Sequence, residues 1–355
     1  MLNRKEVLQQ VTAQIEALLA QGSLPPWHRP WVPSATGGPH NPVSQKSFTG
    51  LNHLYLDILG ALKGFTDPRW MTYRQAAERG WQVRKGEKGE SVFRPVLRER
   101  KKGKAKNDGD ASTAPDESGQ DDNKTCRYLM FVPYTVFNAA QIDGIPPLVI
   151  PEAPTLSAAT ARKAAIIQAL AAEMNVPVLE SPESNRAYYL PQEDRIVMPD
   201  RARFKIPDLW DNTCLHELAH ATGHSSRLKR DQTGAFGSVP YAAEEVAAET
   251  CAWLLSRQWG IAFDPGVAEM TEEQHTAYIA QWGQRLPAGS KALSAAIEQG
   301  LLAAQFLDKR CEAAVEKGQI ERPPVAVTPE PEGDASSPEE TPEQEEDSPF
   351  LSAAG

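Results

Sequence analysis

The sequence has little of what marks secreted and membrane proteins. It contains only 4 cysteines among 355 residues, far apart and without a CxxC pair, so a disulfide framework is not expected. No apolar run approaches the ~18 residues that a membrane-spanning helix needs. The first 22 residues carry charges and glutamines within their apolar pattern and lack a small-residue cleavage site, unlike a signal peptide. We therefore expect a cytoplasmic protein without a membrane partner.

Basic residues are absent from the last part of the chain. The negative charge of that part masks, in the total net charge, a basic region at the N-terminal end. Residues 323–355 carry 9 acidic side chains and no lysine or arginine, whereas residues 1–106 carry 18 basic and 8 acidic ones. The net charge of −10 would argue against a nucleic-acid partner if it were spread evenly. Because the charge is segregated, the N-terminal third remains a candidate for binding a polyanion.

Composition and periodicity divide the chain into three regions and predict an α+β fold. Residues 1–145 are expected to form a small basic α+β domain, with a disordered insertion at about 101–124 that has no large apolar residue. Residues 146–318 are expected to form a mainly helical domain with a hairpin at 187–198. Each of these two regions is long enough for a core of its own. Residues 319–355 are expected to be a disordered acidic tail.

The apolar spacing predicts the individual elements. Two strands joined by a Gly-containing turn are predicted within residues 81–97, and a partner strand at 127–138. Helices are predicted at 5–20, 50–62, 73–80, 158–175, 208–223, 241–258, 271–284 and 290–316.

The most informative motif is an HExxH sequence that begins at His216 and ends at His220. On a helix, residues four positions apart lie about 40° apart around the axis, so both imidazoles can face one metal ion. Glu217 lies beside them, where its carboxylate can accept a proton from a metal-activated water. The motif therefore predicts His216 and His220 as ligands of Zn²⁺ or another divalent metal, and Glu217 as the catalytic base.

A second helix offers a third ligand. The segment from Glu245 to Glu249 fits an ExxA[D/E] pattern, in which Glu245 binds the metal and Glu249, one turn later, orients a histidine. A different pattern, HxxGxxH, matches Gly223 but has Ser226 in place of its last histidine, so we reject it. The separation of 25 positions between His220 and Glu245 lets the chain reverse and pack the second helix antiparallel to the first.

Four alternatives stay open at this point. His224 lies four residues beyond the motif, although Gly223 is expected to end the helix. Glu244 precedes Glu245 on a different helical face. The two histidines could also be packed in a core, with Glu217 as a solvated carboxylate. Finally, a bound metal could stabilise the domain without taking part in catalysis.

Basic residues of the N-terminal region are candidates for contacts with DNA phosphates, which give affinity without sequence preference. The predicted contacts are Arg69, Arg74, Arg84, Lys85, Lys88 and Arg94. Aromatic residues lie between them and can stack on unpaired bases, although burial in a core is the favoured interpretation for each one. These aromatic residues are Phe48, Tyr55, Trp70, Tyr73, Trp81 and Phe93.

Six stretches of the chain carry a resemblance to a known family, and the resemblance as a whole covers about residues 1–315. They are NPVSQKSFTGLN (41–52), DPRWMTYRQA (67–76), VRKGEKG (83–89), FVPYTVFNAAQIDG (131–144), HELAHATGHSSRL (216–228) and FGSVPYAAEEVAAE (236–249). They resemble the ArdC family of plasmid antirestriction proteins, which is related to the N-terminal part of TraC-type plasmid primases. The long insertion and the acidic tail depart from the family pattern. Nothing like a primase catalytic region follows, so primase activity is not expected.

The resemblance implies an N-terminal domain that binds single-stranded DNA, fused to a zincin-like metallopeptidase domain. It also implies carriage on conjugative elements and protection of incoming plasmid DNA from restriction. A protein substrate or a restriction enzyme is a further candidate partner, and the hairpin at 187–198 could present a substrate strand by edge pairing. Two alternative functions are a DNA-binding protector with a purely structural metal site and a regulatory metalloprotease with incidental DNA affinity.

Overall fold

The computed structural model describes most of the chain. The described residues are 3–20, 38–101, 125–149, 156–204, 207–235, 237–259, 286 and 291–323. The predicted helix at 271–284, residues 102–124 of the predicted insertion and residues 324–355 of the predicted tail lie outside them. No helix among the described residues is both long and apolar enough to cross a membrane.

Helices and strands alternate in the N-terminal region, and helices dominate the C-terminal one. The helices are α1 (Arg4–Ala20), α2 (Gly50–Lys63), α3 (Tyr73–Glu78), α4 (Leu156–Met174), α5 (Pro207–Ala221), α6 (Val239–Gln258) and α7 (Lys291–Glu316). The strands are β1 (His40–Asn41), β2 (Lys46–Ser47), β3 (Trp70–Met71), β4 (Gln82–Val83), β5 (Glu90–Lys101), β6 (Thr125–Asn138), β7 (Ile142–Asp143), β8 (Val178–Ser181), β9 (Tyr188–Leu190) and β10 (Arg195–Pro199). This arrangement confirms the predicted α+β class, and every helix predicted within the described residues is present.

The N-terminal sheet is built around a long antiparallel pair, β5 and β6, with β3 on the other side of β6. Both long strands contain a proline, Pro95 and Pro133, and the register makes them harmless. Phe93 lies opposite Pro133, and its backbone N–H and C=O turn away from β6 to the side chain of Asn52, at 2.9 and 2.6 Å. The missing N–H of Pro133 therefore costs no ladder hydrogen bond, and the predicted pairing of 127–138 is confirmed.

The two strands predicted within residues 81–97 exist, but they do not pair across the turn that joins them. β4 pairs with β7, and β5 pairs with β6. Gly86 turns the chain with a φ of 91°. Gly89 then lies so close to β6 that a Cβ atom there would stand 2.4 Å from the side chain of Thr135. The chain therefore leaves one small sheet and enters another at this turn, which local sequence patterns do not reveal.

The C-terminal sheet has β10 at its centre, parallel to β8 and antiparallel to β9. The hairpin predicted at 187–198 is thus present, with Tyr188 opposite Val197. Its turn is held at Asp194, which has a φ of 48° and accepts a hydrogen bond from the Tyr189 hydroxyl at 2.7 Å. Arg227 also binds the Asp194 carboxylate. These bonds fix β9 as an edge strand beside α5.

Helix α6 is placed by a close approach to α7. A Cβ atom at Gly300 would lie 2.6 Å from the Thr250 Cβ and 2.8 Å from the Ala247 carbonyl oxygen, so only glycine fits at this crossing. Ala247, Thr250 and Gly300 let the two backbones come together, and dispersion contacts along the interface hold α6 in position.

One large hydrophobic cluster joins the two regions, and a smaller separate cluster around Trp81 lies within the N-terminal region. The large cluster includes residues of α1 and α2 as well as residues of α5, α6 and α7. Polar contacts reinforce the junction: Arg257 binds Asp57 at 2.6 Å, and the His53 ring meets Trp253 edge-on at 6.2 Å. The boundaries at 145/146 and 318/319 stay predictions.

Candidate metal centre and nucleic-acid surface

Two packed helices bring the HExxH motif and three carboxylates together. Helix α5 carries His216 and His220 on one side, while Cys214, Leu215 and Leu218 are completely buried on its other sides. Helix α6 begins at the N-cap Ser238, whose hydroxyl accepts a hydrogen bond from the backbone of its first turn. Its carboxylates then follow within the next three turns. They are Glu244, Glu245 and Glu249.

Three side chains converge on one point. The Nε2 atoms of His216 and His220 lie 3.0 Å apart. The Glu245 carboxylate oxygens lie 3.5 Å from the first of these nitrogens and 3.6 Å from the second. Among the described residues, these three form the one group of His, Cys, Asp or Glu side chains that could hold a metal ion, with donor atoms within 4.8 Å of one another.

The spacing of these donors suits a small divalent cation. Tetrahedral coordination with Zn–N and Zn–O bonds of ~2.0–2.1 Å places neighbouring donors about 3.3 Å apart. The three observed separations, 3.0, 3.5 and 3.6 Å, lie on either side of that value. Two imidazoles and one carboxylate also leave a coordination position open, as a catalytic site requires. The residues present therefore fit the metal that the motif predicts.

The other ring nitrogen of each histidine faces its own carboxylate. The His216 Nδ1 atom lies 3.5 Å from Glu249, as expected from the sequence pattern. The His220 Nδ1 atom lies 3.1 Å from Glu244. Glu244 is thus an orienting group for His220, a role that the sequence reasoning missed because it considered Glu244 only as a rival ligand. The position of Glu244 next to Glu245 was the feature of the sequence that pointed to this role.

A loop after α5 holds Glu244 in place by hydrogen bonds. The buried guanidinium of Arg230 donates to both Glu244 oxygens, at 2.7 and 2.9 Å, and to the last carbonyl groups of α5. The Gln232 amide donates to Glu244 and to the His220 carbonyl. A Cβ atom at Gly223 would stand 2.7 Å from that amide, so a larger residue there would push the Gln232 side chain away from these partners. The α5 C-terminus and His220 are therefore fixed by one hydrogen-bonded unit.

The remaining alternative ligand, His224, lies outside this group. Its Nδ1 atom contacts the Ser226 hydroxyl at 2.7 Å and lies 3.7 Å from Asp194. Gly223 and the turn that follows it carry the ring away from the two other histidines, as the sequence indicated.

The electrostatics of the centre favour a cation. Burial acts to lower the pKa of His216, but the negative charges of Glu249 and Glu245 outweigh it and raise that pKa well above its ordinary value. Burial acts to raise the pKa of Glu244 and of Glu245, yet hydrogen bonds from Arg230 and His216 hold both well below the usual range. Surroundings that favour a charged imidazole also favour a divalent ion at the same place.

The centre lies at the floor of a cleft of about 360 Å³. One wall is the edge strand β9, with Tyr188 and Tyr189, and the other is the loop around Gln232. Tyr241, at the start of α6, completes the lining and donates a hydrogen bond to Glu245. Glu217 lines the cleft although it is only 7% exposed. An extended chain in this cleft would lie between β9 and the converging donors.

Replacing Glu244 with glutamine is expected to lower metal affinity by about 10- to 100-fold, because the His220 ring loses a charged orienting partner. Replacing Arg230 with methionine is expected to destabilise the protein by about 3–5 kcal/mol, since the Glu244 charge is left buried without its cation. Chelator competition measures the first effect, and urea unfolding measures the second.

The double variant provides the control for this pair. An amide at position 244 needs no cation, so the Arg230→Met change should cost less in the Glu244→Gln background than in the wild type. If the losses in unfolding free energy of the two single variants simply add in the double variant, the interaction between Arg230 and Glu244 does not contribute to stability.

Among the basic residues proposed to contact DNA, Arg69 is in the interior. It is 1% exposed, its guanidinium pairs with Asp67 at 2.7 Å, and it donates to the Pro146 carbonyl at 2.9 Å. A phosphate cannot reach a side chain that is enclosed in this way. Arg69 therefore tightens the loop before β3, and we remove it from the DNA-binding set. Its neighbour Asp67 was the signal for this role.

Two other arginines of the set are exposed but already paired. Arg74 donates to Glu78 one turn later on α3, at 2.7 Å. Arg84 donates to Glu87 at 3.0 Å and to Asp143 at 3.3 Å. Each of these surface pairs is weak in water, so a phosphate could replace the carboxylate at low cost.

The last three members of the set are exposed and unpaired. Lys85, Lys88 and Arg94 have no carboxylate partner within the described part of the chain. Five of the six aromatic residues are buried, as the favoured interpretation held, and only Tyr73 is open to solvent, at 53%. The basic groups therefore remain the better candidates for DNA contacts.

Two family models match different parts of the chain. A model described as the N-terminal domain of anti-restriction factor ArdC matches residues 5–137, and one described as a zincin-like metallopeptidase matches residues 165–299. Fold and site thus define a two-part protein with a zincin-like region at its C-terminal side. The chain belongs to the ArdC family.

Two of the similar curated proteins are much longer than this chain, and a third is of similar length. Two proteins named DNA primase TraC, from Escherichia coli, are 38% identical to it over 285 and 262 residues. The matches cover 79% and 72% of this chain, but it spans only 25% and 17% of the primases. Uncharacterized protein y4eC of Sinorhizobium fredii (strain NBRC 101917 / NGR234) is 32% identical over 305 residues, which cover 85% of this chain and 91% of that protein.

Two solved structures of the antirestriction ArdC protein from plasmid R388 have the same fold. The metal-free crystal structure is 29% identical, with a TM-score of 0.57, and the match covers 89% of this chain and 99% of that one. The Mn(II)-bound structure is 28% identical, with a TM-score of 0.56 and coverage of 85% and 97%. A divalent metal at the converging donors of this chain agrees with both the zincin-like match and the Mn(II) complex.

Proposed function

We propose that this protein protects incoming plasmid DNA from restriction, as an ArdC-like antirestriction protein. Its N-terminal region binds single-stranded DNA without sequence preference, and its C-terminal region carries a zinc metallopeptidase-type site. The observation that supports this proposal best is the convergence of His216, His220 and Glu245 beside Glu217, in a chain of the ArdC family.

The metal we propose is Zn²⁺, held by the two Nε2 atoms and the Glu245 carboxylate. Two histidines and a glutamate are a common donor set of catalytic zinc sites. The R388 protein binds Mn(II), so a different divalent ion is the alternative result of a metal analysis. The carboxylates of Glu249 and Glu244 keep both imidazoles in the orientation and tautomer that binding requires.

The chemistry we propose is peptide hydrolysis. When bound, the ion supplies Lewis-acid polarisation of a peptide carbonyl and activates a water molecule. Glu217 accepts the proton of the attacking water as the new C–O bond forms, and then passes it to the amine, which leaves when the C–N bond breaks. The free edge of β9 aligns the substrate backbone by strand pairing. The low exposure of the Glu217 side chain keeps its carboxylate away from bulk water.

The 355-residue chain is expected to bind single-stranded DNA with an affinity that falls steeply with salt. Each phosphate that a Lys or Arg neutralises releases condensed counterions, which gives a slope of about −0.7 per contact in a plot of log K against log salt concentration. Fluorescence anisotropy of a labelled mixed-sequence oligonucleotide, measured across a salt series, provides the slope.

An oligonucleotide of inverted base composition is the control for this titration. Equal affinities for the two sequences are expected, because phosphate contacts do not depend on base identity. A flat salt dependence, or strong preference for one sequence, would contradict the proposed mode of binding.

Protection itself is measured by conjugating an unmodified plasmid into a restricting host, with and without the protein. We expect the number of transconjugants to approach that obtained in a non-restricting host. An unchanged restriction ratio, with the protein expressed and folded, would refute the proposed function.

A further inference from the structure

The paired strands β5 and β6 extend beyond the core as a two-stranded ribbon. Near the core, both faces of the pair are covered, since Val92 and Phe93 are buried on opposite sides of β5. Farther along β5, Arg94, Pro95 and Arg98 are exposed and Val96 is half-buried. The ribbon therefore offers two faces to solvent, and their chemistry differs.

One face combines cations with apolar groups. Residues directly opposite each other in an antiparallel pair share a face, and Arg94 lies opposite Val132 while Val96 lies opposite Met130. Arg98, two residues beyond Val96, belongs to the same face. We call this surface the ribbon face. It consists of Arg94, Val96, Arg98, Met130 and Val132.

Both arginines of the ribbon face are exposed, and neither has an ion-pair partner among the residues that the structure covers. This distinguishes them from Arg74 and Arg84, which are held by carboxylates. Arg98 follows Arg94 by four positions along β5, which is a distance of about 13 Å. An anionic polymer that follows the strand can therefore meet both arginines with different phosphates.

Apolar side chains lie between these cations. Met130 is 36% exposed, and Val96 and Val132 are half-buried beside it. On the opposite face the exposed ring of Phe131 is already covered by the guanidinium of Arg4, 5.4 Å from the ring centre. The ribbon face is thus the side whose apolar groups are not covered by α1.

We propose that a single DNA strand lies along the ribbon face, with phosphates on Arg94 and Arg98 and a base against Met130 and Val132. This inference rests on the proposed DNA-binding function and assigns it to a surface. Apolar contacts require exposed base faces, which a duplex hides in its stack, so the ribbon face favours unpaired DNA. Duplex DNA could use only the two phosphate contacts.

The test is a charge reversal, Arg94→Glu with Arg98→Glu, in the full chain. Loss of two phosphate contacts should make the salt slope for single-stranded DNA shallower by about 1.4 and lower the affinity at low salt at least tenfold. The matched control is Arg186→Glu with Lys309→Glu, which changes the net charge equally at exposed sites of the C-terminal region. It should leave the slope unchanged.

The outcomes separate this inference from the proposed function. If the wild type does not bind single-stranded DNA, the proposed function fails. If the wild type binds and the Arg94→Glu, Arg98→Glu variant keeps its slope, the strand lies elsewhere and the ribbon-face assignment is overturned. The neutral variant Arg94→Gln with Arg98→Gln should show the same loss of slope, so a folding defect caused by the new acids would be recognised.

A second substitution tests the apolar contact. Met130→Ala should weaken binding of single-stranded DNA at least threefold with an unchanged salt slope, and should leave duplex affinity unaltered. Equal effects on single-stranded and duplex DNA would overturn the contact with unpaired bases. Near-UV circular dichroism of each variant confirms that the fold is retained.

Discussion

Replacing Glu217 with glutamine is expected to lower kcat/KM for peptide hydrolysis by about 10²- to 10⁴-fold, because the site loses its general base. The amide keeps the size of the side chain, so the donors at His216, His220 and Glu245 stay in place. Cleavage is followed by mass spectrometry on a peptide library, and metal content by atomic absorption. The variant should retain its metal and its affinity for single-stranded DNA while losing protection in the conjugation assay.

A matched control is Glu316→Gln, which makes the same chemical change at the exposed end of α7, outside the cleft. It should cleave and protect as the wild type does. If Glu217→Gln keeps its metal and still protects DNA fully, protection does not depend on hydrolysis. The metal site would then be structural for this purpose, and steric shielding of DNA would be the mode of action.

Removing a ligand is expected to have the largest effect on metal binding. His220→Ala deletes one of three donors, and Glu245→Gln replaces a carboxylate donor with a weak neutral amide oxygen, so each should reduce metal affinity by more than the ~100-fold upper range for orienting residues. The wild type should gain thermal stability on metal addition, about 2.7 kcal/mol when the free metal is 100 times Kd. Neither variant should show that gain at the same metal concentration.

Helix α6 supplies its own graded control for this experiment. Glu244, Glu245 and Glu249 lie within six consecutive positions, and changing each to glutamine alters the net charge equally. If the donors are those proposed, Glu245→Gln must be clearly the weakest binder of the three. Equal losses at all three positions would mean that net negative charge attracts the metal and that Glu245 is not a ligand.

Local patterns were sufficient for the parts of the centre that lie within one helix. The 3.6-residue period places His216 and His220 on one side of α5 whatever the rest of the chain does, and the structure has them there. The same argument explains why seven helices agree with the periodicity. Glu249 could also be anticipated, because it is one turn from Glu245 on α6.

Contacts between distant segments escaped the same reasoning. Arg69 is a surface cation by composition, but Asp67 and the Pro146 carbonyl enclose it. The two strands on either side of Gly86 look like a hairpin, although each has its partner in the segment after residue 124. Sequence spacing alone carries no information about which distant backbone a strand will meet.

By itself, the sequence determined the α+β class, the HExxH motif, the acidic helix with the ExxA[D/E] pattern and the basic character of the N-terminal region. Only the tertiary structure decided that Glu244 contacts the His220 ring and forms an ion pair with Arg230. It also decided which basic side chains of the described residues have no carboxylate partner. The physical reason is that helix periodicity is set by neighbouring residues. The partner of a buried charge is set by whichever distant chain segment can lower its desolvation cost.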